Sequence, residues 1–349
     1  MATVRSRDDI SAAIPALPPV VPAHRGTGQR GAGQRGMGLS IALVSAAAFG
    51  TSGTFGDGLL RAGWSPGAAV LARIFVAALV LTPPAVFQLR GRWHVLRRQA
   101  RLVLAYGLIG VDGCTLCYFN AIKTMPVGVA LLLEYFGAIM VVGWLWVARG
   151  QRPRRLTITG AVASVAGLAL MVGVTGSGGF SAAGFTWGML AAVSMAVFFF
   201  LSDHPAKPAG ADGTATGTGA VAAEPLSPVV LSWAGMCVGG VALALLAAAH
   251  AVPFTASVRD VSFLSFRVNW ILPVLGLGLL ATAAGYVTGI AAVRYLGPKL
   301  ASFIGMTEIL FAAVFAWLLL RQVPTDMQFA GGVLILVGLV LIRADESLG

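Results

Sequence analysis

Ten apolar stretches set the pattern of this chain, at 38–60, 67–88, 103–122, 126–147, 157–175, 184–202, 228–249, 270–292, 299–320 and 328–343. Each is close to the ~17–25 residues that a helix needs to cross a hydrocarbon core of ~30 Å. Between them lie short polar, arginine-bearing or glycine-rich breaks. The third and fourth stretches, and the eighth and ninth, are joined by turns of a few residues, which predicts two antiparallel hairpins. The pattern predicts an all-α, polytopic membrane protein with ten transmembrane helices.

The second half repeats the first. Ala121-Ile122-Lys123 recurs as Ala292-Val293-Arg294, 171 residues later. Gly107/Gly278, Ala130/Ala301, Trp146/Trp317, Pro153/Pro324, Gly160/Gly331 and Gly167/Gly338 keep the same offset. A second anchor, Ser65-Pro66 against Ser227-Pro228, falls at 162, so loop lengths differ between the copies. Five spans per copy is an odd number, so the second copy enters the membrane upside down. Duplicated helical bundles related in this way are characteristic of secondary transporters. The organisation read from the sequence is a disordered basic tail at 1–36, a first five-helix repeat at 37–176, a second at 177–343 containing a flexible linker at 203–227, and a short tail at 344–349.

Composition sharpens this. Charged residues make up only 11% of the chain against 57% hydrophobic, where soluble domains carry about 25% charged residues. Forty-five glycines suit helices packed backbone to backbone, as at Gly235/Gly239 and Gly285/Gly289. The net charge of +11 comes from the loops. With the N-terminus inside, the 24 Lys and Arg divide into 18 inside, 5 outside and one, Arg73, within a span. The excess of basic residues on one side places both termini in the cytoplasm. Nucleic-acid binding is excluded, because no folded soluble domain offers a basic face. The first 36 residues have no apolar core of a signal peptide.

Ionisable groups inside spans are costly and mark function by default. They are Asp57, Arg73, Asp112, Glu134 and Glu308. Asp57 and Arg73 lie toward the outer side and are candidates for a structural ion pair. Asp112, Glu134 and Glu308 lie deeper. A buried carboxyl favours its neutral form, which suits it to bind and release a proton. These three are candidates for substrate binding or coupling, with Tyr118, Asn120, Tyr135, Trp187, Thr282 and Tyr286 as polar or aromatic neighbours. Trp146 and Trp317 fit an interfacial belt. Cys114-x-x-Cys117 has redox or half-zinc spacing, but it lies mid-span with only Cys237 elsewhere. No metal or cofactor is expected, and with no Walker A loop any transport is not powered by an ATPase in this chain.

Two passages carry a family resemblance. Pro126-V-G-V-A-L-L-L-E-Y-F-G followed by W-L-W-V-A-R-G-Q-R-P, and Gly297-P-K-L-A-S-F-I-G-M-T-E-I-L-F followed by Q-F-A-G-G-V-L-I-L-V-G from Gln328, resemble the two repeats of EamA-like transporters of the drug/metabolite transporter superfamily. The likeness covers 37–343, is of the actinobacterial type, and extends more distantly to threonine/homoserine exporters. It implies ten helices in two inverted five-helix repeats around a central cavity, no enzymatic activity, and export of small metabolites such as amino acids without ATP. Glu134 matches the family's Glu in L-E-Y, and Glu308 its Glu in T-E. The family's prolines after these positions are Ala138 and Ile309 here, and its Gly-Glu after the ninth span is Arg321-Gln322.

The expected partners are a small-molecule substrate, the lipid bilayer and, as open partners, protons and a second copy of the chain. Three deep carboxyls against one arginine lean toward zwitterionic or cationic cargo. A broad drug or cation exporter is the alternative. A non-transporting membrane sensor or scaffold would be favoured by a large soluble domain, which the chain lacks.

Overall fold

The computed structural model describes residues 27–122, 127–150, 153–172, 182–203, 226–263, 266–320 and 325–347. Helix dominates: α1 (Thr27–Arg61), α2 (Pro66–Leu89), α3 (Trp93–Arg98), α4 (Ala100–Ala105), α5 (Cys114–Ile122), α6 (Val127–Arg149), α7 (Arg155–Val172), α8 (Ala182–Ser202), α9 (Pro228–Ala248), α10 (Ile271–Gly276), α11 (Gly285–Gly305), α12 (Thr307–Leu320) and α13 (Asp326–Ser347). Two π-helical segments, Tyr106–Gly113 and Leu277–Ala284, join α4 to α5 and α10 to α11. Six helices or joined helices among the described residues are long and apolar enough to cross a membrane: Gly36–Arg61, Pro66–Leu89, Ala100–Tyr118, Ala182–Ser202, Pro228–Ala248 and Ile271–Gly305. Shorter apolar helices run at Leu133–Ala148, Arg155–Leu170 and Phe329–Ile342. The chain is a mostly helical, polytopic membrane protein.

Local chemistry explains several boundaries. Ser65 and Ser227, the repeat anchors at offset 162, are the N-caps of α2 and α9. Each side-chain oxygen accepts from the backbone N–H three residues on, and each is followed by proline at the first helical position. That proline gives up an N–H that the helix would leave unpaired anyway. The two π-helical segments are 171 residues apart to the residue, a feature that hydropathy does not report. Their wide turns leave carbonyls looser than in an α-helix. Thr282 answers one of them, donating its hydroxyl to Leu277 O at 2.8 Å.

Small residues fix the crossings. An added Cβ at Gly160 would stand 2.6 Å from the carbonyl oxygen of Gly338, and one at Gly167 2.6 Å from that of Gly331. The earlier glycine of α7 meets the later glycine of α13 and the reverse, so the two helices run antiparallel. The pair α2 and α9 also runs antiparallel. Trp233 donates its indole N–H to Thr82 at 2.9 Å, and Ser227 donates to Gln88.

Between α9 and α10 the loop contains a two-stranded antiparallel hairpin, β1 (Val261–Phe263) and β2 (Phe266–Val268), with Val261 opposite Val268. Its approach segment is fixed to the start of α2. Ser65 N–H donates to Thr255 O at 2.8 Å, Thr255 N–H returns to the Ser65 hydroxyl at 2.9 Å, and the Trp64 indole donates to Ser257 O at 2.7 Å. Helix α1 begins at Thr27 and so takes in the end of the stretch read as a basic tail. Residues 1–26, 204–225 of the linker and the Arg321-Gln322 pair lie outside the described residues.

Candidate functional site

A cavity of about 800 Å³ opens inside the bundle. Along α1 its wall runs from Ala42 to Arg61, roughly 28 Å at the helical rise per residue, so it reaches through most of a bilayer's depth. The walls are mainly apolar and small, and the few polar groups that reach it come from separate helices.

Helix α6 supplies Glu134 and Tyr135, which are adjacent in sequence and both on the cavity wall. Glu308 comes from the first turn of α12, two residues after Met306, which joins α11 to α12 with right-handed helical dihedrals; the non-helical turn before it is at Gly297. The Tyr135 hydroxyl donates to Glu308 Oε2 at 2.6 Å, binding α6 to α12 across the cavity. Glu134 accepts from the Cys114 thiol of α5, with Sγ 3.1 Å from Oε1. The two carboxylates act on each other electrostatically, and the Arg73 guanidinium acts on both. Arg73, from α2, is 8% exposed and lines the cavity.

An aromatic wall completes the site. Phe49 of α1 and Phe198 of α8 both meet Tyr286 of α11 edge to face, with ring centroids 5.1 and 5.7 Å apart. All three line the cavity, as does Tyr118. Such rings offer negatively polarised faces to a cation.

The structure therefore brings Glu134, Glu308, Arg73, Tyr118, Tyr135 and Tyr286 to one space. Asp112 sits behind it in the first π-helical segment. It is 3% exposed, packed against Gly239 of α9, and feels the charge of Arg73, with neither oxygen hydrogen-bonded among the described residues. Asn120 donates within its own helix to Leu116 O at 2.9 Å. Trp187 is 39% exposed on α8, away from the cavity. Thr282 is spent on its π-helical carbonyl. The side chain of Asp57, and with it the ion pair with Arg73, lies outside the described residues. Trp146 and Trp317 are half exposed, as belt residues would be.

Cys114 was legible only as a failed metal or redox motif. Cys114 stands 20 residues from Glu134 on a different helix, so its contact with that carboxylate leaves no spacing signal. Phe49 and Phe198 carried no sequence signal, since phenylalanine in an apolar span is the expected background. Among the described residues no three His, Cys, Asp or Glu side chains come together as a metal site.

Comparison with known proteins agrees with this architecture. A model of the EamA-like transporter family matches residues 36–173 and 182–344. The uncharacterized inner membrane transporter YicL of Salmonella typhimurium is 26% identical over 314 residues, which are 88% of this chain and 96% of that protein. A protein of known crystal structure superposes with a TM-score of 0.65 at 18% identity, over 88% of this chain and 98% of its own, and so shares the fold.

Proposed function

The chain belongs to the EamA-like transporter family, and on that premise we propose that it is a secondary transporter of the inner membrane that exports amino acids or related zwitterionic and cationic metabolites by alternating access. The proposed topology is ten membrane helices in two inverted five-helix repeats, 37–176 and 177–343, with both termini in the cytoplasm. The antiparallel crossings of α2 with α9 and of α7 with α13 support it. Helices related by an axis in the membrane plane must cross their own repeat-mates antiparallel, whereas an axis along the membrane normal would make them parallel.

The observation that carries the substrate class is the cavity's charge arrangement. Glu134 and Glu308 share one apolar space with the buried guanidinium of Arg73, and Arg61, exposed at the end of α1, also lines it. The paired carboxylates suit an ammonium group, while Arg73 suits a carboxylate. The Phe49, Phe198 and Tyr286 rings add a surface for apolar or cationic groups. In this reading Glu134 and Glu308 hold the substrate's ammonium or a coupling proton, and Tyr135 and Cys114 orient them.

The volume favours a second reading. A cavity of about 800 Å³ is near the upper end of the ~300–1,000 Å³ of small-molecule sites and exceeds what one amino acid fills, so a broad cation exporter uses the same residues. Proteoliposomes decide between them. Uptake of labelled amino acids by the intact chain, lost in both Glu134→Gln and Glu308→Gln, supports the first reading. Transport of organic cations without amino acids supports the second. If both variants carry any identified substrate at the intact rate, the carboxylates have no such role.

A further inference from the structure

A second cavity, of about 300 Å³, opens where α2 ends and α9 begins. Its polar wall is Gln88, Arg92, Ser227 and Arg294, and among the described residues no acidic side chain lines it. Ser227 is the N-cap of the 21-residue helix α9, so the positive end of that helix borders the same space. Arg294 is steadied by donating its Nε–H to Ser202 O at 3.4 Å. Two guanidiniums and a helix start facing one small space are the donor set that recognises phosphate oxygens.

The surroundings fix the depth. Trp93 meets Trp233 edge to face with ring centroids 6.3 Å apart, and Arg90 lies over the Phe87 ring at 5.4 Å. Arg97, Arg98 and Arg101 follow within one turn or two. Tryptophan with clustered arginine marks headgroup depth. Phe87 is 70% exposed and Trp93 45%, an apolar surface beside the opening on which acyl chains can lie.

The related position in the other half is closed. Ser65, the matching N-cap, exchanges hydrogen bonds with the backbone of Thr255 in both directions, and Gly67 packs against Val252 and Pro253. The fold fills one of two equivalent places with its own backbone and leaves the other as a basic cavity. We propose that this cavity binds a phosphate group, presented by an anionic phospholipid headgroup or as free inorganic phosphate, with its depth favouring the lipid.

Native mass spectrometry of the detergent-purified full chain tests this, with phosphatidylglycerol, phosphatidylcholine and inorganic phosphate as separate probes. One phosphatidylglycerol should bind per chain in preference to phosphatidylcholine. Arg92→Gln and Arg294→Gln should each weaken it by about fivefold or more, and the double variant should abolish it. Arg97→Gln, outside the cavity, should change nothing, and Arg92→Lys should keep most of the binding, which separates lost charge from lost folding. Binding of inorganic phosphate alone, sensitive to the same two arginines, assigns the site to free phosphate. Equal binding of all probes by the intact chain and the double variant, or binding of neither phosphatidylglycerol nor phosphate, overturns the proposal. Its outcome is independent of what the central cavity transports.

Discussion

Replacing Gly167 by alanine should loosen the α7–α13 crossing. The new Cβ would stand 2.6 Å from the Gly331 carbonyl oxygen and 2.7 Å from the Ile335 amide nitrogen. Ordinary contact begins near 3.4 Å, so the helices must part by about 0.8 Å, and both obstacles are backbone that cannot rotate away. Forcing a methyl into a packed interface costs about 1–3 kcal/mol. Alanine also returns up to ~1 kcal/mol as a better helix former than glycine, and the control has to remove that gain. Gly143, in α6, has nothing within 4 Å of its added Cβ, so Gly143→Ala takes the propensity gain without the clash. Thermal unfolding in detergent, followed by size-exclusion fluorescence, should place Gly167→Ala below Gly143→Ala by at least about 2 °C, taking ~2–4 °C per kcal/mol for mid-sized domains. Gly160→Ala, blocked by the Gly338 oxygen at 2.6 Å, should fall in the same direction. Equal melting of Gly167→Ala and Gly143→Ala would refute the reading of this crossing as backbone-to-backbone.

Other outcomes follow from single contacts. Tyr135→Phe removes the 2.6 Å hydroxyl donor to Glu308; hydrogen bonds to charged groups are worth ~1.5–3 kcal/mol, so transport in counterflow assays should slow by about tenfold or more, and an unchanged rate would take Glu308 out of the transport path. Cys114 lines the cavity, so in a variant with Cys117 and Cys237 replaced by serine a small cationic thiol reagent should label it, with protection by transported substrate; labelling that substrate never slows would place the binding site elsewhere. Trp64→Phe forfeits the indole bond to Ser257 O and should lower stability by ~1 kcal/mol, read as melting temperature, with no change in substrate preference.

Much of the scaffold was legible because lipid imposes it. A span must be apolar for its whole length, so the ends of α2, α8 and α9 fall within two residues of the stretches at 67–88, 184–202 and 228–249. The repeat glycines were visible as a spacing, and the structure gives the spacing its cause at Gly160, Gly167, Gly331 and Gly338. What stayed hidden was conformation that costs no hydropathy. The π-helical segments are as apolar as the α-helices around them, and the loop at 250–269 gave no sign that Thr255 and Ser257 fasten it to α2. The cavity was half legible. A carboxylate in a span stands out against its background, which exposed Glu134 and Glu308, while the Phe49–Tyr286–Phe198 wall did not. Asp112 and Asn120 show the converse, since depth in a helix does not say which face a side chain takes.

The symmetry of the backbone and the asymmetry of the site serve different ends. Both halves keep the capping serines, the π-helical segments and the crossing glycines, which are features of helix starts and close packing. The chemistry breaks that correspondence. At an offset of 171, Glu134 corresponds to Gly305 and Glu308 to Gly137. Gly305 lies against the ring of Phe199, and Gly137 against the carbonyl of Ala192 where an added Cβ would stand 2.6 Å away. A second pair of carboxylates is therefore excluded at Gly137 by packing. At the same offset Tyr135 of α6 corresponds to Met306, between α11 and α12. That tyrosine, which its mate lacks, is the one that donates to Glu308. Two glutamates and a tyrosine, none repeated at its mate's position, thus make the cavity wall asymmetric where the backbone around it repeats.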